Sequence, residues 1–194
     1  MSQSPAPNYR WLLIPLGFIV LGLDLISKYW ALAALAPDPT LRVVVIPGFL
    51  DFRIAYNSGG AFSLFHGNVF FVTALSIFCM GVLVWWAASI PTRYPLPWIG
   101  LGLVAGGAIG NLHDRLRWQH VVDFIHAYVV VGNREYAWPT FNIADSGIVV
   151  GIGLLLVLGL STKQLDPPTP SAGDQTVSTP LAVPQESPHP ESQS

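Results

Sequence analysis

The chain has 194 residues, of which 52% are hydrophobic and 10% are charged, with a formal net charge of −2 and a mean hydropathy of +0.50. Soluble domains carry about 25% charged residues, so a soluble globule is excluded, and the length excludes a large many-helix transporter while leaving room for about four spans. No basic patch points to nucleic acid, and the single cysteine, Cys79, excludes a disulfide framework, a cysteine-based zinc site and an iron–sulfur cluster.

Trp11 to Ala36 is the first long apolar segment. Ala34-Leu35-Ala36 imitates a signal-peptide cleavage site. The segment is too long for the apolar region of a signal peptide, however, and Asp24 and Lys28 interrupt it. A first transmembrane helix over about 11–36 is expected, with apolar residues around nearly its whole circumference. Leu41–Gly48 and Leu50–Tyr56 are β-branched or alternating and are divided by Pro47-Gly48. They predict short strands in a small extramembrane β-cradle over about 41–67. Asn57-Ser58-Gly59-Gly60 reads as a turn, with Gly60 allowing close backbone approach.

Asn68–Ile90 carries no charge and predicts the second span, with Trp85 and Trp86 suited to a membrane interface. Pro91–Pro95 is a short connection to a third span over about 96–112. Gly102, Gly106 and Gly110 fall on one face of that helix and permit close packing, here expected inside the chain rather than between copies. Residues 113–140 are polar and mixed, and are expected as a second extramembrane region that partly re-enters the interface. A fourth span is expected over about 141–161. From Lys163 the chain is Pro, Ser, Thr and Gln, too poor in apolar residues to offset ordering entropy. The expected fold is therefore an all-α polytopic membrane protein. It has one four-helix domain over 1–162, a small β-cradle and a disordered tail over 163–194.

Four spans put both termini on one side and the two polar regions on the other. Arg10, Arg93 and Lys163 lie on the terminal side, whereas Arg42, Arg53, Arg115, Arg117 and Arg134 lie on the loop side. The positive-inside rule alone would put the loops in the cytoplasm.

Ionisable groups within a span cost roughly 2.5–3.5 kcal/mol each on insertion scales and so demand a reason. Asp24 and Lys28 are four apart on one face, acid first, which suits an ion pair. Two readings stay open: a structural pair, or a pair that holds a site from beneath. Asn142-Ile143-Ala144-Asp145 fits a helix capping box, and Asp145 fits equally a functional carboxylate favoured by the helix dipole. Asp123 lies in Val121-Val122-Asp123-Phe124-Ile125, where desolvation would raise its pKa. If Asp123 and Asp145 approach, they make a carboxylate pair able to activate water and to protonate a leaving amine. The histidines lack metal-ligand spacing, and Ser63 and Ser146 have no evident base. His113 and His120 read as interfacial polar residues, and Cys79 as a core or lipid-facing one.

Several segments occur in one order: Asp24-x-x-x-Lys28; Asn57-Ser58-Gly59-Gly60-Ala61-Phe62-Ser63; Gly106-Gly107-Ala108-Ile109-Gly110-Asn111-Leu112-His113-Asp114-Arg115; Val121-Val122-Asp123-Phe124; and Phe141-Asn142-Ile143-Ala144-Asp145-Ser146. Over about residues 11–162 the chain resembles the lipoprotein signal peptidases (signal peptidase II), bacterial intramembrane aspartyl proteases. The resemblance implies Asp123 and Asp145 as the catalytic dyad. It implies Asn57, Gly60, Asn111, Arg115 and Asn142 around the site, with Asp24, Lys28 and Asp114 supporting it. It implies an inner-membrane enzyme with cytoplasmic termini and its site toward the periplasm, against the arginine count. The loop-side arginines would then be held by Asp51, Asp114, Glu135 or lipid phosphates. The implied substrate is a prolipoprotein whose cysteine already carries diacylglycerol, cleaved just before that cysteine by a monomer with no metal or cofactor. His113 and Gln119 depart from the family pattern, which has an aliphatic residue and commonly a glycine there.

A rival reading is a small proton- or ion-coupled transporter that uses Asp24, Lys28 and Asp145 as a relay. It predicts inverted repeats and broken helices, and the sequence shows neither. A non-catalytic scaffold would leave Asp123 and the Asn57 turn without a purpose.

Overall fold

The structure, a computed structural model, describes residues 7–58, 69–90 and 94–162. Gly60, the rest of the expected cradle to residue 67, the connection at 91–93 and the tail over 163–194 lie outside the described residues. A 3-10 turn at Arg10–Leu12 leads into α1 (Leu13–Ala34). Then come β1 (Val43–Ile46), β2 (Leu50–Asn57), α2 (Val69–Ala87), α3 (Pro95–Trp118), β3 (Val121–Val131), β4 (Arg134–Ala137) and α4 (Ile143–Thr162).

Among the described residues three helical segments are long and apolar enough to cross a membrane: Arg10–Ala34, Val69–Ala87 and Pro95–Trp118. Among the described residues α4 supplies a shorter apolar stretch, Ile143–Val157, so three segments rather than the expected four meet the length of a span.

Two expectations need correction. The fold is not all-α: the strands form one antiparallel sheet of order β1-β2-β3-β4, and two of them come from the second polar region. The third helix also does not stop at Leu112 but runs to Trp118. Its last turns tolerate charge because Asp114 faces the Lys28 ammonium, while Arg115 and Arg117 lie at the helix end that favours cations. A proline near its N-terminus starts α3. At its other end Gln119, at φ 62°, reverses the chain into β3.

Glycines explain why α3 is the central helix. A Cβ at Gly102 or Gly106 would run into α1 at Leu13, Leu16, Gly17 or Val20. One at Gly100 or Gly107 would run into α4 at Gly151, Leu155, Ala144 or Ile148. Glycine thus lets both neighbours approach at backbone distance, within one chain.

The sheet sits at the C-terminal end of α1. Phe124 of β3 packs on Ala31 and Leu35, with Phe52 and Ile54 around it, and Trp30, Phe52 and Phe124 meet edge to face. At the opposite end, Ile90, Trp98 and Leu101 form a second buried cluster.

Candidate active site

The site lies where α3 ends, α4 begins and β2 and β3 pair. Asp123 is buried on β3, and Asp145 is half-buried in the first turn of α4. Asn142, fully buried just before α4, serves both. Its Nδ2 donates to Asp123 Oδ1 at 2.7 Å, with Asn111 Oδ1 at 3.1 Å and Val122 O at 3.3 Å also in reach. Its Oδ1 accepts the Asp145 backbone N–H at 2.9 Å, and its own N–H donates to Asp145 Oδ2 at 3.3 Å.

The capping-box reading of Asp145 is realised, and its second carboxylate oxygen has another partner. Oδ2 closes the capping box, while Oδ1 accepts from Asn111 Nδ2 at 2.7 Å. Asn57, at the end of β2, donates from Nδ2 to Asp123 Oδ2 at 3.1 Å. Burial, followed by the nearby Asp145 charge, pushes the Asp123 carboxyl up to about 7, against the bonds from Asn57 and Asn142 that favour its ionised form.

Beneath the carboxylates, Lys28 is fully buried and its three donors meet three acceptors. These are Asp24 Oδ2 at 2.7 Å, Asp114 Oδ2 at 2.9 Å and Asn111 Oδ1 at 3.0 Å. Asp24 Oδ1 accepts the Ala144 N–H at 2.9 Å, and Asp114 Oδ2 accepts the Val122 N–H at 3.1 Å. The Asp24–Lys28 pair is thus an ion pair that, with Asp114, ties α1 to α4 and to the residue before Asp123. Arg115 bonds the Asn111 carbonyl at 3.4 Å and feels the charges of Asp145, Asp123 and Asp114. Of the residues expected around the site, only Gly60 is outside the described residues.

Asn111, Arg115 and Asp145 also form the polar end of a groove of about 480 Å³ between α2, α3 and α4. Its walls are apolar, with Leu75, Val104, Ala108, Ile148 and Ile152 among them, and Cys79 lies in the α2 wall. Among the described residues no group of three or more His, Cys, Asp or Glu side chains is arranged to hold a metal ion.

Residues 16–161 match the family described as signal peptidase (SPase) II. The chain belongs to the signal peptidase II family. The lipoprotein signal peptidase of Xanthomonas oryzae pv. oryzae (strain PXO99A) is 42% identical over 168 residues, covering 84% of this chain and 96% of that protein. That of Xanthomonas campestris pv. campestris (strain 8004) is 44% identical over 162 residues, covering 80% and 92%. A solved structure described as a bacterial membrane enzyme, determined in meso at 2.3 Å resolution, superposes with a TM-score of 0.74 at 25% identity, covering 86% of this chain and 98% of that one. As a signal peptidase II, the protein is a membrane protease of lipoprotein processing.

The two departures of this signal peptidase II chain fall next to the site. His113 Nδ1 is 3.3 Å from Asp114 Oδ1, and Gln119 adopts the left-handed turn that a glycine would take without strain. Sequence reasoning missed a second polar cluster on the sheet, around Asp51 and His126. Two charged-capable residues flanked by apolar strand neighbours were its available signal. Of the partners expected for the loop-side arginines, Asp51 and Glu135 both hold Arg42, whereas Asp114 pairs with Lys28.

Proposed function

We propose that the chain is an aspartyl endopeptidase that removes the signal peptide of diacylglyceryl-modified prolipoproteins just before the lipidated cysteine. One observation carries this reading: Asn142 donates to both carboxylates, Asp123 and Asp145, and burial pushes the Asp123 carboxyl up to about 7. Such a pair has one ionised and one protonated member near neutrality. The ionised carboxylate takes a proton from water as the oxygen adds to the peptide carbonyl carbon. The protonated one donates to the carbonyl oxygen. On collapse of the tetrahedral diol the C–N bond breaks and the amine leaves with a proton returned from the pair.

The groove supports the substrate class. Its polar end is at Asp145 and its apolar walls run between helices, so a signal-peptide helix and acyl chains lie among side chains of matching polarity. Residues 1–162 make up the peptidase domain, working as a monomer without metal or cofactor, and α4 completes a set of four spans. The enzyme lies in the inner membrane with cytoplasmic termini and its sheet toward the periplasm. Arg42 is held on the sheet by Asp51 and Glu135, and the family resemblance carries this orientation against the arginine count. Saturation of Lys28 by three acceptors weighs against a proton relay.

The test is a cleavage assay with purified protein and a synthetic diacylglyceryl prolipoprotein. Mass spectrometry is expected to find the free signal peptide and a product beginning at the lipidated cysteine. Cleavage elsewhere, or equal cleavage of an unlipidated precursor, would refute the substrate assignment.

A further inference from the structure

A second cluster of ionisable side chains lies across the sheet, apart from the carboxylate pair. His126 and Asp51 are both fully buried, and His126 Nδ1 is 3.1 Å from Asp51 Oδ1. The other oxygen of Asp51 pairs with Arg42 Nε, and Arg42 Nη2 reaches Glu135 Oε2 at 3.0 Å. His126 Nε2 points toward Glu135 Oε1, 3.9 Å away. Tyr128 stacks on the imidazole at 5.2 Å, lies under the Arg42 guanidinium at 4.6 Å, and accepts the Gly48 N–H on its hydroxyl at 3.2 Å. Burying Asp51 and His126 costs desolvation, and fixing a register is the best-attested use of such a buried pair.

The register of β2 against β3 shows what depends on it. Asp51 is the partner of His126 and Phe52 of Ile125, but beyond an irregularity Ala55 is the partner of Asp123 and Asn57 of Val121. From Phe52 to Ala55 β2 takes three steps while β3 takes two, so β2 carries one extra residue there. Asp51 and Asn57 are six apart and would share a face on a regular strand. The bulge turns them to opposite faces, Asp51 to His126 and Asn57 to Asp123. Were the outer register to run on unbroken, Ile54 would oppose Asp123 and Asn57 would face away from it. A bulge stays in place only if the strand is fixed on both sides of it.

We propose that the buried Asp51–His126 pair, clamped by Arg42 and Glu135, is a register pin that holds the β2 bulge and so positions Asn57 against Asp123. His126 and Arg42 are then positioning residues for the cleavage. This rests on the catalytic reading of Asp123 above. Misplacement of a reacting group by about 1 Å can cost two orders of magnitude in rate, whereas the groove that binds substrate is built from α2, α3 and α4.

The test compares His126→Leu, Arg42→Gln and His126→Asn in steady-state cleavage of a diacylglyceryl prolipoprotein. His126→Leu and Arg42→Gln are expected to lower kcat at least about tenfold with KM within about twofold. His126→Asn, whose amide restores a donor to Asp51, is expected to rescue most of the rate. Arg42 is more than a third exposed, so its variant keeps the comparison open if His126→Leu does not accumulate. Equal loss in His126→Leu and His126→Asn, a change in KM alone, or unchanged kcat in Arg42→Gln would overturn the proposal.

A second readout does not depend on catalysis. Tyr56 and Val122 are partners across the strands, so a Tyr56→Cys/Val122→Cys protein is expected to form a disulfide in membranes. Adding His126→Leu or Arg42→Gln is expected to lower its yield, and adding His126→Asn to preserve it. A yield that ignores His126 and Arg42 would sink the pin. Cleavage by Asp123→Asn would instead sink the catalytic reading and leave the pin to be judged by this cross-link.

Discussion

At Asn142 the side-chain amide donates to the Asp123 carboxylate and the backbone N–H donates to that of Asp145, so one residue meets both members of the pair. Asn57 favours the ionised form of Asp123, so removing it moves that carboxyl higher still. Asn57→Ala is therefore expected to shift the alkaline limb of the kcat–pH profile upward from near 7, besides slowing the reaction. An unshifted or lower limb would contradict this. The same carboxyl links pH to stability. Folded Asp123 keeps a proton that the unfolded chain releases from about pH 4, so stability falls as pH rises from about 4 to 7. Asp123→Asn is expected to lessen that fall in a pH series of thermal melts, and an unchanged slope would argue against it. Lys28 works differently, as a cation between two buried carboxylates. Lys28→Ala leaves Asp24 and Asp114 uncompensated, a loss of about 3–5 kcal/mol. The variant is expected to be lost from membranes, as measured by its level in membrane fractions.

Among the elements, α3 carries the most constraint, because α1 and α4 both meet it at glycines. A Cβ at Gly107 would strike the Ala144 carbonyl and Ile148, and so would push out the start of α4, where Asn142 and Asp145 are held. Gly107→Ala is expected to lower both melting temperature and cleavage rate. Gly81→Ala meets nothing nearby and is expected to leave the fold intact. Equal melting temperatures for the two would contradict this account of α3. Much of this was legible in the sequence. The apolar runs predict α1, α2, α4 and the start of α3 to within a few residues, and the β-branched texture of 41–56 predicts β1 and β2. The end of α3 was not legible, because His113–Trp118 look like a solvated loop until Lys28 is brought against Asp114 from 86 residues away along the chain. Nor was β3–β4 legible as sheet, since its pairing to β2 is long-range. Asp123, Asp145 and Asn142 stand out in the sequence as separate hints, and only the fold shows that one amide joins them.

For the whole molecule, the site lies at the end of the helices where the sheet covers α1, opposite the cluster at Ile90, Trp98 and Leu101. The proposed orientation puts that sheet in the periplasm. Single cysteines at Val130 and at Tyr9, in a Cys79→Ala background, are expected to react with a membrane-impermeant maleimide from opposite sides, position 130 in intact spheroplasts and position 9 only after lysis. The reverse pattern would restore the orientation that the arginine count favours. In the proposed mechanism Asp123 and Asp145 together perform the cleavage. Its most direct test is single-turnover cleavage of a diacylglyceryl prolipoprotein by purified Asp123→Asn and Asp145→Asn proteins, each shown to be inserted and folded. Neither variant is expected to release signal peptide under conditions where the unaltered enzyme completes the reaction; normal release by either one would exclude the dyad.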